Sequence, residues 1–246
     1  LLCLQDDNGR RGYGECAPLP GSDTESAATA IHALQSLLPP LLGRAAGDAL
    51  RQLGPGSDSR TPAARCAVET ALLDLLAQDS GVPLAAYLNG ARLRPAAGAP
   101  PPPPIQLNAA CGSLAGLREG DLRAACSAGF KVLKLKLGVL ALDEEIALLR
   151  QFATVLPPAC QLRLDANRAW PAATAARFLQ ACADLPIEMV EEPLANPDID
   201  RLQALQDNTT IAIAVDESIR GFDGQALLTR RAVRRLVIKP PRHGGL

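Results

Sequence analysis

A chain of 246 residues, 48% hydrophobic and 21% charged, carries enough apolar material for one large α/β barrel or for two smaller domains. Its formal net charge of −1 gives no broad pull toward nucleic acid or an anionic membrane. No apolar run of about 18 residues occurs, so no membrane-spanning helix is expected, and the first residues carry neither the basic region nor the cleavage site of a secretory signal.

Residues 1–16 predict a hairpin turning at Asp7-Asn8-Gly9, followed by the stiff loop Ala17-Pro18-Leu19-Pro20-Gly21. Helices are predicted at about 23–38 and 62–79, with 54–60 as a loop between them. The second opens with Thr61 as N-cap and Pro62 at the first helical position, and Gly81 is placed to end it. Five consecutive prolines in 98–104 can continue neither a helix nor a central strand, so this segment reads as a linker between a domain of residues 1–97 and a second of residues 105–246.

Beyond the linker, strands alternate with helices. Strands are predicted at 105–110, 130–138, 161–167, 187–193, 211–218 and 234–240, with helices near 119–128, 143–154, 171–182, 198–206 and 223–229. Repeated βα units of this size imply a parallel sheet, either doubly wound or closed as a barrel. No G-x-G-x-x-G follows a strand and no P-loop occurs, which removes the support for a nucleotide-binding open sheet.

The segment FKVLKLKLG holds Lys134 and Lys136 on one face and Leu133, Leu135 and Leu137 on the other, because strand side chains alternate. A solvent face would explain the lysines without further consequence; the interior of a barrel would not. The ends of the successive strands carry Lys136, Asp165, Glu191, Asp216 and Lys239, about one βα unit apart each. In a barrel these ends converge on one mouth, where catalytic groups sit. Three unpaired carboxylates in one cup would repel, and a divalent cation resolves the repulsion. With only His32 and His243 available as histidines, the ligands must be oxygen, which suits Mg²⁺. With such a metal polarising a substrate carboxylate, a lysine can take the adjacent carbon-bound proton. Lys134 is expected to make Lys136 easier to deprotonate or to touch the substrate carboxylate, and Lys239 to donate a proton or stabilise charge. Cys3, Cys16, Cys66, Cys111, Cys126, Cys160 and Cys182 stand singly without a C-x-x-C pair. They read mostly as small buried residues of a reducing compartment, not as disulfides or a zinc site.

Together KLKLG, LRLDANRAW, VEEPL, VDES and VIKP resemble the enolase superfamily, in the branch with a lysine on each side of the metal. RLDANRAW, the EEP form, IKP and the early GYGECAPLPG segment are most similar to its o-succinylbenzoate synthase family. The resemblance spans nearly the whole chain. It implies a (β/α)7β TIM-like barrel beneath an N-terminal α+β capping domain, with Mg²⁺ held by Asp165, Glu191 and Asp216. It also implies Lys136 as base, Lys239 as the stabiliser of an enediolate, and Pro18-Leu19-Pro20-Gly21 as a loop closing over the site. Arg163, Asn167, Lys134 and Glu192 are expected at the substrate or beside the metal ligands. Trp170 reads as a packing residue, and His243 has no assigned role. The implied reaction is dehydration of 2-succinyl-6-hydroxy-2,4-cyclohexadiene-1-carboxylate. Racemisation of N-succinylamino acids or dipeptide epimerisation is the alternative on the same scaffold, and a non-catalytic module of a larger polypeptide is a third reading. The family pattern calls for a first cap strand and two further barrel strands, so the chain is expected to be a fragment. Its expected compartment is the cytoplasm, or a plastid if the source is a photosynthetic eukaryote.

Overall fold

The structure, a computed structural model, describes residues 1–19, 24–54, 60–89 and 105–246. The chain divides into two compact units, Leu1–Pro102 together with Lys239–Leu246, and Pro103–Ile238.

In the first unit the expected hairpin forms from β1 (Leu2–Gln5) and β2 (Arg11–Gly14), paired antiparallel from Leu2↔Gly14 to Gln5↔Arg11. Asp6 fixes the turn, its Oδ1 accepting from the N–H groups of Asn8 and Arg10 at 3.0 and 2.9 Å. Four helices follow: α1 (Ala27–Leu37), α2 (Ala46–Leu53), α3 (Pro62–Asp79) and α4 (Leu84–Leu88). Strand β2 lies directly on α3. A Cβ at Gly14 would stand 1.8 Å from the Ala67 carbonyl oxygen, and one at Gly12 would stand 2.2 Å from that of Ala71. Glycine against alanine is what lets a strand backbone touch a helix there. Thr61 occupies the N-cap position of α3, but the buried Glu25 carboxylate supplies acceptors from far in sequence. Its oxygens take the Ala63 and Ala64 N–H groups at 3.2 and 2.8 Å. Helices α2 and α4 were not predicted. Their N-cap residues, Ala45 and Pro83, provide no capping side chain, so the start signal that marks α3 is missing. The expected loop positions Pro20, Gly21 and 55–59, and the proline linker 98–104, lie outside the described residues.

The second unit alternates strand and helix: β3 (Asn108–Ser113), α5 (Glu119–Ser127), β4 (Val132–Lys136), α6 (Leu142–Ala153), β5 (Gln161–Asp165), α7 (Ala172–Ala181), β6 (Ile187–Glu191), α8 (Ile199–Asp207), β7 (Ala212–Val215), α9 (Gly224–Arg230) and β8 (Arg235–Leu236). All six strands are parallel and lie in sequence order, β3-β4-β5-β6-β7-β8. This is the arrangement of a TIM-like barrel region. The first strand begins three residues later than predicted, at Asn108.

Alternation along the strands sorts the two faces of the sheet. Leu133, Leu135, Leu162, Leu164, Val190, Ile213 and Val215 are all fully buried and form one core with Leu149 and Phe152 of α6, Phe178 of α7, Leu202 of α8 and Leu227 of α9. Each such side chain contributes about 1.5–3 kcal/mol of burial, which fixes the strand register. The opposite face carries Lys134, Lys136, Arg163, Asp165 and Glu191. Beside them Met189, Ala212 and Ala214 form a separate small cluster against Val237. The two lysines of FKVLKLKLG therefore turn away from the helices.

The last short helix, α10 (Pro240–His243), belongs to the first unit. There the buried guanidinium of Arg65 on α3 donates to the carbonyls of Gly244 and Gly54, and the Leu246 N–H donates to Glu69 Oε2 at 2.6 Å.

Candidate active site

Strand register brings the acidic and basic residues of the second unit to one level. Lys136 lies opposite Asp165, and Asp165 opposite Glu191. Glu191 lies opposite Ala214, and Asp216 follows two residues later, where the chain leaves β7. One step lower on the same face, Lys134 lies opposite Arg163 and Arg163 opposite Met189.

Lys134 is the hub of this face. Its Nζ stands 2.9 Å from Asp165 Oδ2 and 2.7 Å from Glu191 Oε2. Burial works against the ammonium charge, but the hydrogen bonds to Glu191 and Asp165 outweigh it and hold the pKa above the ordinary lysine value. Lys134 is thus committed to the two acids. Asp165, Glu191 and Asp216 are buried, while Lys136 is exposed. Burial pushes the Glu191 carboxyl up; the Lys134 hydrogen bond opposes this, and the charges of Asp165 and Asp216 reinforce it. Glu217 is also raised, first by burial and then by its acidic neighbours Glu192, Asp216 and Asp165, against its own backbone hydrogen bond.

Arg163, expected at the substrate or beside the metal ligands, lies on their face one step below Asp165 and is paired with Glu188. Its Nε and Nη2 donate to Glu188 Oε2 and Oε1 at 2.6 and 3.2 Å, and Nη1 reaches Asn108 Oδ1 at 3.4 Å. A register shift between β5 and β6 pairs Leu162 with Ile187 and then Arg163 with Met189, leaving Glu188 as an extra residue of β6. Simple alternation from Glu191 would have aimed Glu188 at the helices, which is why the pattern did not reveal it. Asn167 is exposed just past Asp165, and its N–H donates to Asp165 Oδ1 at 3.1 Å.

Two further glutamates hold the loops around the site. Glu145, in the first turn of α6, was not singled out; its Oε1 accepts from the N–H groups of Gly138, Val139 and Leu140 at 2.7, 3.1 and 3.3 Å. That fixes the turn that follows Lys136. An acid in the first turn of a helix entered from a glycine-containing loop was the available signal. Gly138 itself takes φ +82°, and a Cβ there would stand 2.3 Å from that of Ala169. Glu192, 1% exposed, accepts from the Asp216 and Ser218 N–H groups and from the Ser218 hydroxyl. Trp170 packs against Phe178, their ring centroids 4.6 Å apart, in the packing role expected of it. Lys239 opens the segment Lys239–Leu246 and stands at the N-cap of α10, as His243 stands at its end. Of the cysteines only Cys66, Cys160 and Cys182 are buried. Cys16, Cys111 and Cys126 are half-buried and Cys3 is exposed, so fewer are core residues than their apolar character predicts.

Among the described residues no group of three or more His, Cys, Asp or Glu side chains is gathered closely enough to enclose a metal ion, and the Lys134 ammonium sits between two of the acids. The donor set nevertheless fits a hard cation. It is all oxygen and buried, and two of its carboxylates, Asp165 and Glu191, share the single Lys134 ammonium. Three buried side-chain polar atoms among the described residues lack a hydrogen-bond partner, and Glu191 Oε1 is one of them.

Residues 119–246, more than half of the chain, match the Enolase C-terminal domain-like family. The chain belongs to the enolase superfamily. It is 33% identical over 221 residues to the o-succinylbenzoate synthase of Thermosynechococcus vestitus, covering 89% of this chain and 60% of that protein. It is 31% identical to the L-Ala-D/L-Glu epimerase of Bacillus subtilis, covering all of this chain and 66% of that one. A dipeptide epimerase from Cytophaga hutchinsonii, solved with Mg and the dipeptide D-Ala-L-Val, superposes with a TM-score of 0.80 at 24% identity over 99% of this chain and 65% of its own. The chain thus spans under two thirds of the length of the synthase and of the solved epimerase. No helix among the described residues is long and apolar enough to cross a membrane.

Proposed function

We propose that the chain carries the metal- and base-bearing residues of an enzyme that removes a proton from the carbon next to a substrate carboxylate. The observation that supports this best is the common level of Lys136, Asp165 and Glu191 on the face turned away from the helices, where two buried carboxylates share one ammonium. In this reading Mg²⁺ is held by Asp165, Glu191 and Asp216, and when bound it neutralises the negative charge that builds on the substrate carboxylate during proton loss.

The protein's own groups then divide the work. Lys136, exposed at the end of β4 beside a turn fixed by Glu145, takes the proton. Lys134 keeps Asp165 and Glu191 apart and oriented. Asn167 is the polar group offered to a substrate beside Asp165. The role of Lys239 rests on its place in the VIKP motif alone, as stabiliser of developing charge. The proposed overall reaction is dehydration of 2-succinyl-6-hydroxy-2,4-cyclohexadiene-1-carboxylate. The C1–H electrons form the C1–C6 double bond, the C6 hydroxyl leaves with a proton as water, and the ring becomes aromatic. A syn elimination lets the proton gained by Lys136 return to the hydroxyl on the same face. Aromatisation supplies much of the driving force.

Epimerisation of a dipeptide or N-acylated amino acid is the second reading. It is favoured by the Bacillus subtilis relative, whose similarity runs over the whole chain. The test is loss of the diene absorbance by the complete protein with and without Mg²⁺. Metal-dependent loss supports dehydration; no loss, with Mg²⁺-dependent deuterium incorporation into dipeptides, replaces it with epimerisation.

A further inference from the structure

Glu192 adopts φ +47°, a left-handed conformation that costs a non-glycine residue about 1–2 kcal/mol. Everything it touches explains why that cost is tolerated. Its carbonyl accepts from Arg168 N–H at 2.7 Å, in the loop that follows Asp165. Its N–H donates to the Ala214 carbonyl at 2.9 Å, on the strand that leads to Asp216. Its Oε1 accepts from Asp216 N–H at 2.7 Å and Ser218 N–H at 2.9 Å, and its Oε2 accepts from Ser218 Oγ at 2.6 Å. One residue, covalently joined to Glu191, therefore ties together the loops after β5, β6 and β7. Both carboxylate oxygens are used on the Asp216–Ser218 turn.

We infer that Glu192 is a positioning residue that sets the spacing of Asp165, Glu191 and Asp216 and so tunes the affinity of that trio for a divalent cation; this rests on the metal-site reading above. Its carboxylate acts by reach and acceptor geometry, not by adding charge to the site. Three donors converge on it, two of them backbone N–H groups of fixed direction, so a side chain of the same length that still accepts them will serve. Glutamine meets that requirement, with Oε1 accepting from the two N–H groups and Nε2 donating to Ser218 Oγ. Aspartate does not, because it keeps the charge but withdraws it by one methylene.

The test is Mn²⁺ binding followed by electron paramagnetic resonance, with thermal unfolding measured alongside, on the wild-type chain and on Glu192→Gln, Glu192→Asp and Glu192→Ala. Loss of a partner that orients metal ligands typically costs 10–100-fold in affinity. The expected result is Mn²⁺ affinity within about 3-fold of wild type for the glutamine variant, and a loss of about 10-fold or more for the aspartate and alanine variants. If the aspartate variant binds normally and the glutamine variant does not, charge and not reach is what matters, and the inference is overturned. Equal affinity in all folded variants, with only the melting temperature changed, makes Glu192 a structural residue and also overturns it. A wild-type chain with no saturable Mn²⁺ site refutes the metal reading first and the role of Glu192 with it. Should the alanine variant fail to fold, the glutamine–aspartate contrast decides alone.

Discussion

Two layers of the same sheet face handle charge in opposite ways. In the lower layer Arg163 and Glu188 form a bidentate pair, one cation to one anion, with Asn108 completing the guanidinium's contacts. One step higher, the Lys134 ammonium, reaching up from the level of Arg163, serves both Asp165 and Glu191, and Glu191 Oε1 is among the buried atoms of the described residues without a hydrogen-bond partner. Buried charge that is matched and fully hydrogen-bonded is a finished structural element. Two buried carboxylates that share one ammonium, with a carboxylate oxygen left over, keep an acceptor ready for a further cation. The difference separates the two kinds of polar residue that sequence alone lumps together on one strand face.

That contrast can be broken in both directions. The largest effect is expected on activity in the upper layer: Lys136→Ala should lower turnover of the complete protein by about 10²–10⁴-fold, the usual worth of a general base, with little change in melting temperature because Lys136 is exposed. Steady-state kinetics and a thermal melt on the same preparation check it. In the lower layer the pattern should invert. Arg163→Met strands Glu188 and should cost about 1–3 kcal/mol in urea unfolding, less than the 3–5 kcal/mol of a fully buried pair because both side chains are a fifth to a quarter exposed. Its Mn²⁺ affinity should stay within about 3-fold of wild type, whereas a larger loss would join the two layers into one functional unit. The smallest effect to read is a difference in metal response, in Lys134→Met. Without metal, Asp165 and Glu191 lose their counter-ion and the melting temperature falls. Mg²⁺ at about 100 times the variant's Kd should restore about 2.7 kcal/mol, and at that same concentration the wild type, whose ammonium competes for the carboxylates, should gain less. Equal metal-induced shifts would mean that the ammonium and the ion do not compete for the same carboxylates.

Much of the scaffold was legible because its signals are local. Strand-end residues recurring once per βα unit placed Lys136, Asp165 and Glu191 on adjacent strands, and the leucines of FKVLKLKLG assigned its faces. Thr61-Pro62 and Gly81 bounded α3 to the residue. Most of what escaped depends on contacts distant in sequence. Glu188 reaches Arg163 only through a register shift that breaks alternation. Glu25 caps α3 from 38 residues away. Glu145, marked only as an acid in the first turn of α6, holds backbone N–H groups of the loop just before it, and Glu192, expected beside the metal ligands, gave no sign that it reaches the Asp216–Ser218 turn, because residue types do not encode such partners. The position of Lys134 between two acids was also not legible, since spacing reveals which face a lysine shares and not which oxygen it meets.

The central claim is that the upper layer is a cation site built on the buried carboxylates of Asp165, Glu191 and Asp216. Isothermal titration of Mg²⁺ into the wild-type chain and into Glu191→Gln tests it most directly. The account predicts one saturable site in the wild type that is lost, or weakened by about 100-fold, in the variant, with the fold retained by circular dichroism. Saturable binding that is indifferent to Glu191→Gln, or no saturable binding in a folded wild-type chain, would contradict it.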